Sequence, residues 1–114
     1  HRRRPFSDPS GPVTSRLFPP ALRLKLAKRF KMLSTPARLR ILDTLFQNGF
    51  QSVSAVVSET PYDQPYVSEQ LSRMESENLL RRRKNGQHVE YAIGDPTIEA
   101  VCVIVRYALH DRGA

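Results

Sequence analysis

A mainly α chain carrying one two-stranded β-hairpin (α+β) is the fold class this sequence predicts, and three observations predict it. Apolar residues recur at helical spacing in four separate stretches. Helix-starting pairs stand before them, Thr35-Pro36 and Asp95-Pro96 most plainly. A single Asn-Gly dipeptide, Asn85-Gly86, separates two short runs, the second of which alternates. The 114 residues suffice for one domain. A chain of this size closes a small core, burying roughly 60–65% of what its unfolded form exposes.

Taken in order, residues 1–20 hold five of the nine prolines and little apolar content, which predicts a flexible Pro/Arg-rich arm. The folded domain is expected over 21–112. From Ala21 the pattern turns helical: Leu22, Leu26, Phe30 and Leu33 recur among Arg23, Lys25, Lys28, Arg29 and Lys31. Thr35 caps a second helix with proline at its first position; it presents Leu39, Leu42, Leu45 and Phe46 and stops at Asn48-Gly49. The stretch QSVSAVVSE alternates well enough for a short strand, so local propensity leaves it undecided. Asp63 is an N-cap for a helix from Gln64 to about Glu77, with Val67, Leu71 and Met74 on one face. Pro65 falls in its first turn, where a missing N–H costs little, and Asn78 stands where a left-handed residue ends it. Asn85-Gly86 predicts a type I′ turn, with Val89, Tyr91 and Ile93 on the returning strand. From Ile98 to Leu109 the last helix is apolar almost all round, interrupted by Glu99 and Arg106. A helix apolar on every face needs cover on every face, and in so small a domain that implies a partner chain.

The charge is as uneven as the hydropathy. The net +7 divides into +10 over residues 1–40, −5 over 41–80 and +2 over 81–114. The basic residues sit in the arm, the first helix and the run Arg81-Arg82-Arg83-Lys84, which favours an acidic partner such as nucleic acid. No apolar run approaches the ~18–20 residues of a membrane helix, so a spanning protein is excluded. The N-terminal HRRRPFSDPS has no apolar stretch behind its charges and does not read as a secretory signal. With no initiator Met, the numbered chain reads as trimmed or tagged. One cysteine, Cys102, makes no intramolecular disulfide, which fits a reducing cytoplasm.

Helix, tight turn, helix and basic hairpin, in that order, make a winged helix-turn-helix. FKMLSTPARLRILDTL resembles the opening of the ArsR/SmtB family of bacterial transcriptional repressors. DQPYVSEQLSRMESENLL is similar to that family's recognition helix and exit, RRRKNGQHVEYAI to its wing, and DPTIEAVCVIVRYAL occupies the place of its dimerisation helix. The resemblance runs from about residue 21 to 110. It implies a cytoplasmic, bacterial or archaeal regulator, nucleoid-associated when bound. It would be a homodimer through the terminal helices, which binds an inverted-repeat operator in double-stranded DNA until a signal releases it. It also assigns QSVSAVVSE to the first helix of the helix-turn-helix.

In such a motif the start of the second helix enters the major groove. Gln64, Tyr66, Ser68, Glu69 and Gln70 occupy that start, and the resemblance places Gln64, Ser68, Glu69 and Gln70 at base- or phosphate-contacting positions. Glutamine matches the adenine edge and serine donates to base or phosphate, whereas Tyr66 has the alternative of packing under the wing. Glu69 departs from the family, which often has a basic residue or histidine there. With Asp63, Glu69, Glu75 and Glu77 against Arg73 the segment is −3, so affinity is expected from the wing: Arg83 and Lys84 near the tip with Gln87 and His88. Arg2, Arg3 and Arg4 are candidates for a minor groove. Leu22 and Leu26, with Val101, Cys102, Val105 and Leu109, are the expected dimer contacts.

Many members of the family sense metals. The thiolate positions of one family site fall here on Ser52, Ser54 and Val57, and hydroxyls do not replace thiolates for soft ions. The positions of the dimer-helix site fall on Asp95, Thr97, Ala108 and Asp111, two carboxylates without the imidazoles. No cofactor is therefore expected; the remaining metal candidates are Asp95, His110 and Asp111, for zinc or nickel. A lone mid-helix Cys102 is read as packing. The signal would then come from a partner protein or a small-molecule inducer. A protein-docking winged helix, reading no DNA, is the alternative. No phosphate loop, catalytic carboxylate pair or nucleophile triad points to an enzyme.

Overall fold

The computed structural model describes residues 17–110. Its elements run α1 (Pro20–Met32), α2 (Pro36–Asn48), β1 (Gln51–Ser52), α3 (Val53–Glu59), α4 (Gln64–Ser76), β2 (Leu80–Asn85), β3 (His88–Ile93) and α5 (Pro96–His110). Contacts divide the chain at residue 31 into two units. The first contains α1, whose opening turn is closed by the Arg23 N–H donating to the Pro19 carbonyl at 2.8 Å. It exposes Leu22, Leu24 and Phe30. The arm with Arg2, Arg3 and Arg4 lies outside the described residues.

The second unit builds one core from α2, α3, α4, α5 and the strands β2 and β3. Ile41, Leu42 and Leu45 of α2 meet Val56 of α3, Val67, Leu71 and Met74 of α4, Leu79, Leu80, Tyr91 and Ile98. The inward face of α2 is thus Ile41, Leu42, Thr44 and Leu45; Leu39 and Phe46, expected among its core residues, are exposed. Thr35 caps α2 by accepting from the Arg38 N–H at 3.3 Å, and Gly49 ends it.

The undecided stretch is both things in turn. Gln51 and Ser52 pair with Tyr91 and Glu90 of β3, giving a three-stranded antiparallel sheet in the order β1-β3-β2 rather than the two-stranded hairpin expected. Buried Gln51 is anchored there by its side-chain oxygen, which accepts from the Thr44 hydroxyl at 3.1 Å. Ser52 then caps α3, accepting from the Ala55 N–H at 3.2 Å. Val53, Val56 and Val57 of α3 fall on one helical face, Val56 fully buried and the others against the core.

Asn78 adopts φ 66°, the left-handed conformation expected of it. The Leu79 N–H donates back to the Met74 carbonyl at 3.0 Å and the Asn78 N–H to Glu75 at 2.9 Å, a Schellman stop that satisfies the last carbonyls of α4. The hairpin turn differs from the type I′ expectation. Asn85 pairs with His88, so Gly86 and Gln87 are the central residues, and only Gly86 has positive φ, at 65°. That is the pattern of a II′ turn; type I′ would force Gln87 left-handed too. At the hairpin base, a Cβ on Gly94 would sit 2.9 Å from the Arg81 backbone nitrogen, so only glycine fits there.

Candidate nucleic-acid interface

The helix-turn-helix is α3, residues 60–63 and α4. The Thr60 hydroxyl donates to the Val56 carbonyl at 3.0 Å, closing α3. Asp63 restarts the chain as a helix: its side chain accepts from the Tyr66 N–H at 3.0 Å. Val67, Gln70, Leu71 and Met74 face inward at positions i, i+3, i+4 and i+7. The opposite face of the first two turns presents Gln64, Tyr66, Ser68 and Glu69 to solvent.

The expected readers therefore divide. Gln64 and Ser68 are exposed near the start of α4. Tyr66 does not pack under the wing; its ring lies 5.3 Å from that of Tyr62. Glu69 is exposed and paired with Arg73 at 3.5 Å, one turn on, which offsets part of the helix's negative charge. Gln70 is a correction. It is 7% exposed, on the inward face, and its amide oxygen accepts from Arg38 Nε at 2.9 Å. Arg38 also reaches the Met32 carbonyl at 3.5 Å, so Gln70 fastens α4 to the start of α2 instead of meeting a base. The 67-70-71-74 spacing was the signal available for this.

In the wing, Gln87 occupies the turn and His88 the first position of β3, both exposed. Arg83 is committed elsewhere than expected. Its Nε donates to Glu90 Oε1 at 2.9 Å, and its guanidinium lies 4.0 Å from the Phe50 ring centroid; that of Arg81 lies 5.2 Å from the same ring. The Arg83 hydrogen bond holds the Glu90 carboxyl below the usual carboxylate range, with help from Asn85. Neither Arg82 nor Lys84, both exposed, has an ion-pair partner among the described residues. Phe50 carried no mark in the sequence, because its role depends on β1 pairing with β3.

Two residues at the family's metal positions, Ser52 and Asp95, serve as helix caps. The Ser52 hydroxyl caps α3 and lies 3.2 Å from the Ser54 hydroxyl, neither offering a thiolate. Buried Asp95 accepts from both the backbone N–H and the hydroxyl of Thr97, capping α5. Asp111 lies outside the described residues, among which no three His, Cys, Asp or Glu side chains cluster as metal ligands do. The hydroxyls of Ser52 and Ser54 do not fit a thiolate centre.

On α5, Ile98 is buried and Val101 and Cys102 are half-buried, while Val105 and Leu109 stand exposed beside Ile104 and Tyr107, which are 66% and 69% exposed. Leu22 and Leu26 lie one turn apart on α1. Burial pushes the Cys102 thiol pKa up, which disfavours the reactive thiolate. Between α2 and α5 runs an apolar groove of about 540 Å³, lined by Leu39, Leu42, Phe46, Ile93, Cys102 and Val105 among others. Among the described residues, no helix is long and apolar enough to cross a membrane.

No family model matches the chain. It is 31% identical over 81 residues to an uncharacterised HTH-type transcriptional regulator of Methanocaldococcus jannaschii, covering 71% of this chain and 91% of that protein. Over 88 residues it is 27% identical to a probable mercury resistance operon repressor of Streptomyces lividans, covering 77% and 70%. The solution structure of a homodimeric winged helix-turn-helix DNA-binding domain from Mycobacterium bovis, a possible ArsR-family regulator, superposes with a TM-score of 0.72 at 26% identity. The match covers 82% of this chain and 86% of that one. Neighbours of this kind are regulators and not enzymes. With helix-turn-helix, basic wing and terminal helix in the family's order, the chain belongs to the ArsR/SmtB family of winged helix-turn-helix, DNA-binding transcriptional regulators.

Proposed function

We propose that this chain is a homodimeric repressor that sets the two copies of α4 in successive major grooves of an inverted-repeat operator. The observation that carries this is the division of α4: one face is locked into the core while Gln64, Tyr66 and Ser68 project outward at the helix start. The dimer is supported by α5, which exposes Ile104, Val105, Tyr107 and Leu109, a row too apolar for an unpartnered surface, and by the homodimeric relative. Repression is supported by the relative from Streptomyces lividans. Release is ascribed to an inducer or a partner protein, since Ser52, Ser54 and Asp95 serve as caps and close neighbours of caps instead of ligands.

The test is a titration against genomic fragments that include the gene's own promoter, at two salt concentrations, metal-free and again with zinc or nickel. Selective, salt-sensitive binding indifferent to metal is expected. A several-fold change with metal would restore Asp95, His110 and Asp111 as ligands. Absence of selective binding under every condition would leave the protein-docking reading in its place.

A further inference from the structure

The basic run Arg81-Arg82-Arg83-Lys84 is one patch in sequence and two in space. Side chains of a strand alternate between faces, and β2 begins with the buried Leu80. The register fixes what lies on each side, since directly paired residues share a face. Leu80, Arg82 and Lys84 stand with Ile93, Tyr91 and Val89, the face on which Tyr91 joins the core and β2 packs against α4. Arg81 and Arg83 stand with Ala92 and Glu90, the opposite face.

Each face has its own chemistry. On the outer one, Ala92 is small, and the Phe50 ring covers that region from the β1 side. Both guanidiniums rest against this ring, 5.2 and 4.0 Å from its centroid. Arg83 is neutralised by Glu90, which Asn85 approaches at 3.4 Å. These are planar cations stacked on an aromatic face and closed by a carboxylate, an arrangement that ties all three strands together. Arg82 and Lys84 share the face of Tyr91 and Val89, yet both are exposed and without an ion-pair partner among the described residues.

We infer that the basic run divides its work by strand face. Arg81 and Arg83 clamp Phe50 and hold the wing's shape, while Arg82 and Lys84 are the wing's phosphate-binding cations. This rests on the DNA-binding reading above and moves Arg83 from the reading set to the scaffold. Each phosphate neutralised by a protein cation adds about 0.9 to the slope of log affinity against log salt, so the slope counts contacts independently of stability.

The experiment measures that slope for the full chain on a fluorescein-labelled duplex of mixed sequence, alongside thermal melting. Arg82→Ala and Lys84→Ala are each expected to lower the slope by about 0.9 per protomer with little change in melting temperature. Arg82→Lys restores the slope, because only charge is required there. The double variant Arg83→Ala with Glu90→Gln, which keeps the net charge, is expected to retain the wild-type slope and to melt earlier, as is Phe50→Ala. Arg83→Lys, lacking the planar group, behaves as the clamp loss and not as a conservative change. A slope reduced in the Arg83→Ala, Glu90→Gln variant as much as in Arg82→Ala overturns the division, as does an Arg82→Ala slope equal to wild type. If the unaltered chain shows no salt-dependent binding at all, the DNA-binding reading fails and the assignment of Arg82 and Lys84 goes with it.

Discussion

Gln70 gives the sharpest separation between reading DNA and holding the reader in place. Replacing it with alanine removes the acceptor for Arg38 Nε at 2.9 Å and empties an inward position of α4 that is 7% exposed. Hydrogen bonds to a charged partner are worth about 1.5–3 kcal/mol, and since water reaches the half-buried Arg38 once the partner is gone, the low end applies. Losing about one buried methylene adds about 0.8 kcal/mol. The expected cost is therefore about 2 kcal/mol, which for a domain of this size lowers the melting temperature by about 8–16 °C. Well below the transition, affinity for the operator falls little. Gln64→Ala should do the reverse: stability within about 0.5 kcal/mol of wild type, and selectivity for the preferred duplex reduced by about 1–3 kcal/mol. Paired thermal melts and fluorescence-anisotropy titrations decide the matter. A Gln70→Ala protein that melts normally but no longer selects its site would refute the assignment of this residue to the scaffold.

Three further outcomes are expected. Asp63→Ala removes the cap of α4 and should cost about 1 kcal/mol with a parallel loss of DNA affinity, whereas Asp63→Asn, an equally good cap, keeps the fold; denaturant melts with equal midpoints for all three proteins would contradict this. The Glu90 carboxyl, held low by Arg83, supports the wing in full above the pH at which an unfolded glutamate protonates, and its contribution is lost as pH falls from there through the depressed folded value. An NMR titration should show its midpoint rising in Arg83→Ala; an unmoved midpoint would remove the ion pair from the account. Cys102, with its thiol pKa raised by burial, should react with iodoacetamide at neutral pH several-fold more slowly in the folded protein than in urea, and equal rates would show that the groove does not shield it.

How much of this was legible in the sequence depends on the range of the interaction. Caps and stops act within four residues, and Thr35, Asp63, Asn78 and Gly49 stand where local chemistry places them. The family's order of elements was equally readable. What local reasoning missed depends on pairing between distant segments. QSVSAVVSE was ambiguous because Gln51 is held as a strand by β3 and by Thr44, forty and seven residues away respectively, before Ser52 turns the chain into a helix. The turn type was misjudged because the register, not the Asn-Gly dipeptide, decides which two residues are central, and the pairing of Asn85 with His88 makes them Gly86 and Gln87. Leu39 and Phe46 looked like core on periodicity alone; they line a groove instead, since the deeper positions of α2 go to Ile41 and Leu45. Gln70 is hard to place for the opposite reason: its spacing is plain, but its polarity argues for solvent until Arg38 supplies a buried partner.

The electrostatic layout then follows from the division of labour inside the motif. A recognition helix bearing Asp63, Glu69, Glu75 and Glu77 against one arginine is a poor source of nonspecific affinity, because carboxylates repel phosphates. Asp63 is nonetheless required as a cap, and the Glu69–Arg73 pair, with both side chains more than half exposed, contributes little stability while confining each charge to the other. The consequence is a helix that gains from docking only where its polar side chains meet matching base edges. In the proposed complex affinity comes from cations placed off that helix, and the two wing arginines stacked on Phe50 stiffen the sheet that carries the other two. Attraction from the wing raises specific and nonspecific binding alike, so the ratio between them is set by α4, which repels phosphates and gains only from matching base edges. That ratio, and not the strength of binding to any one duplex, is what a regulator searching a genome must maximise.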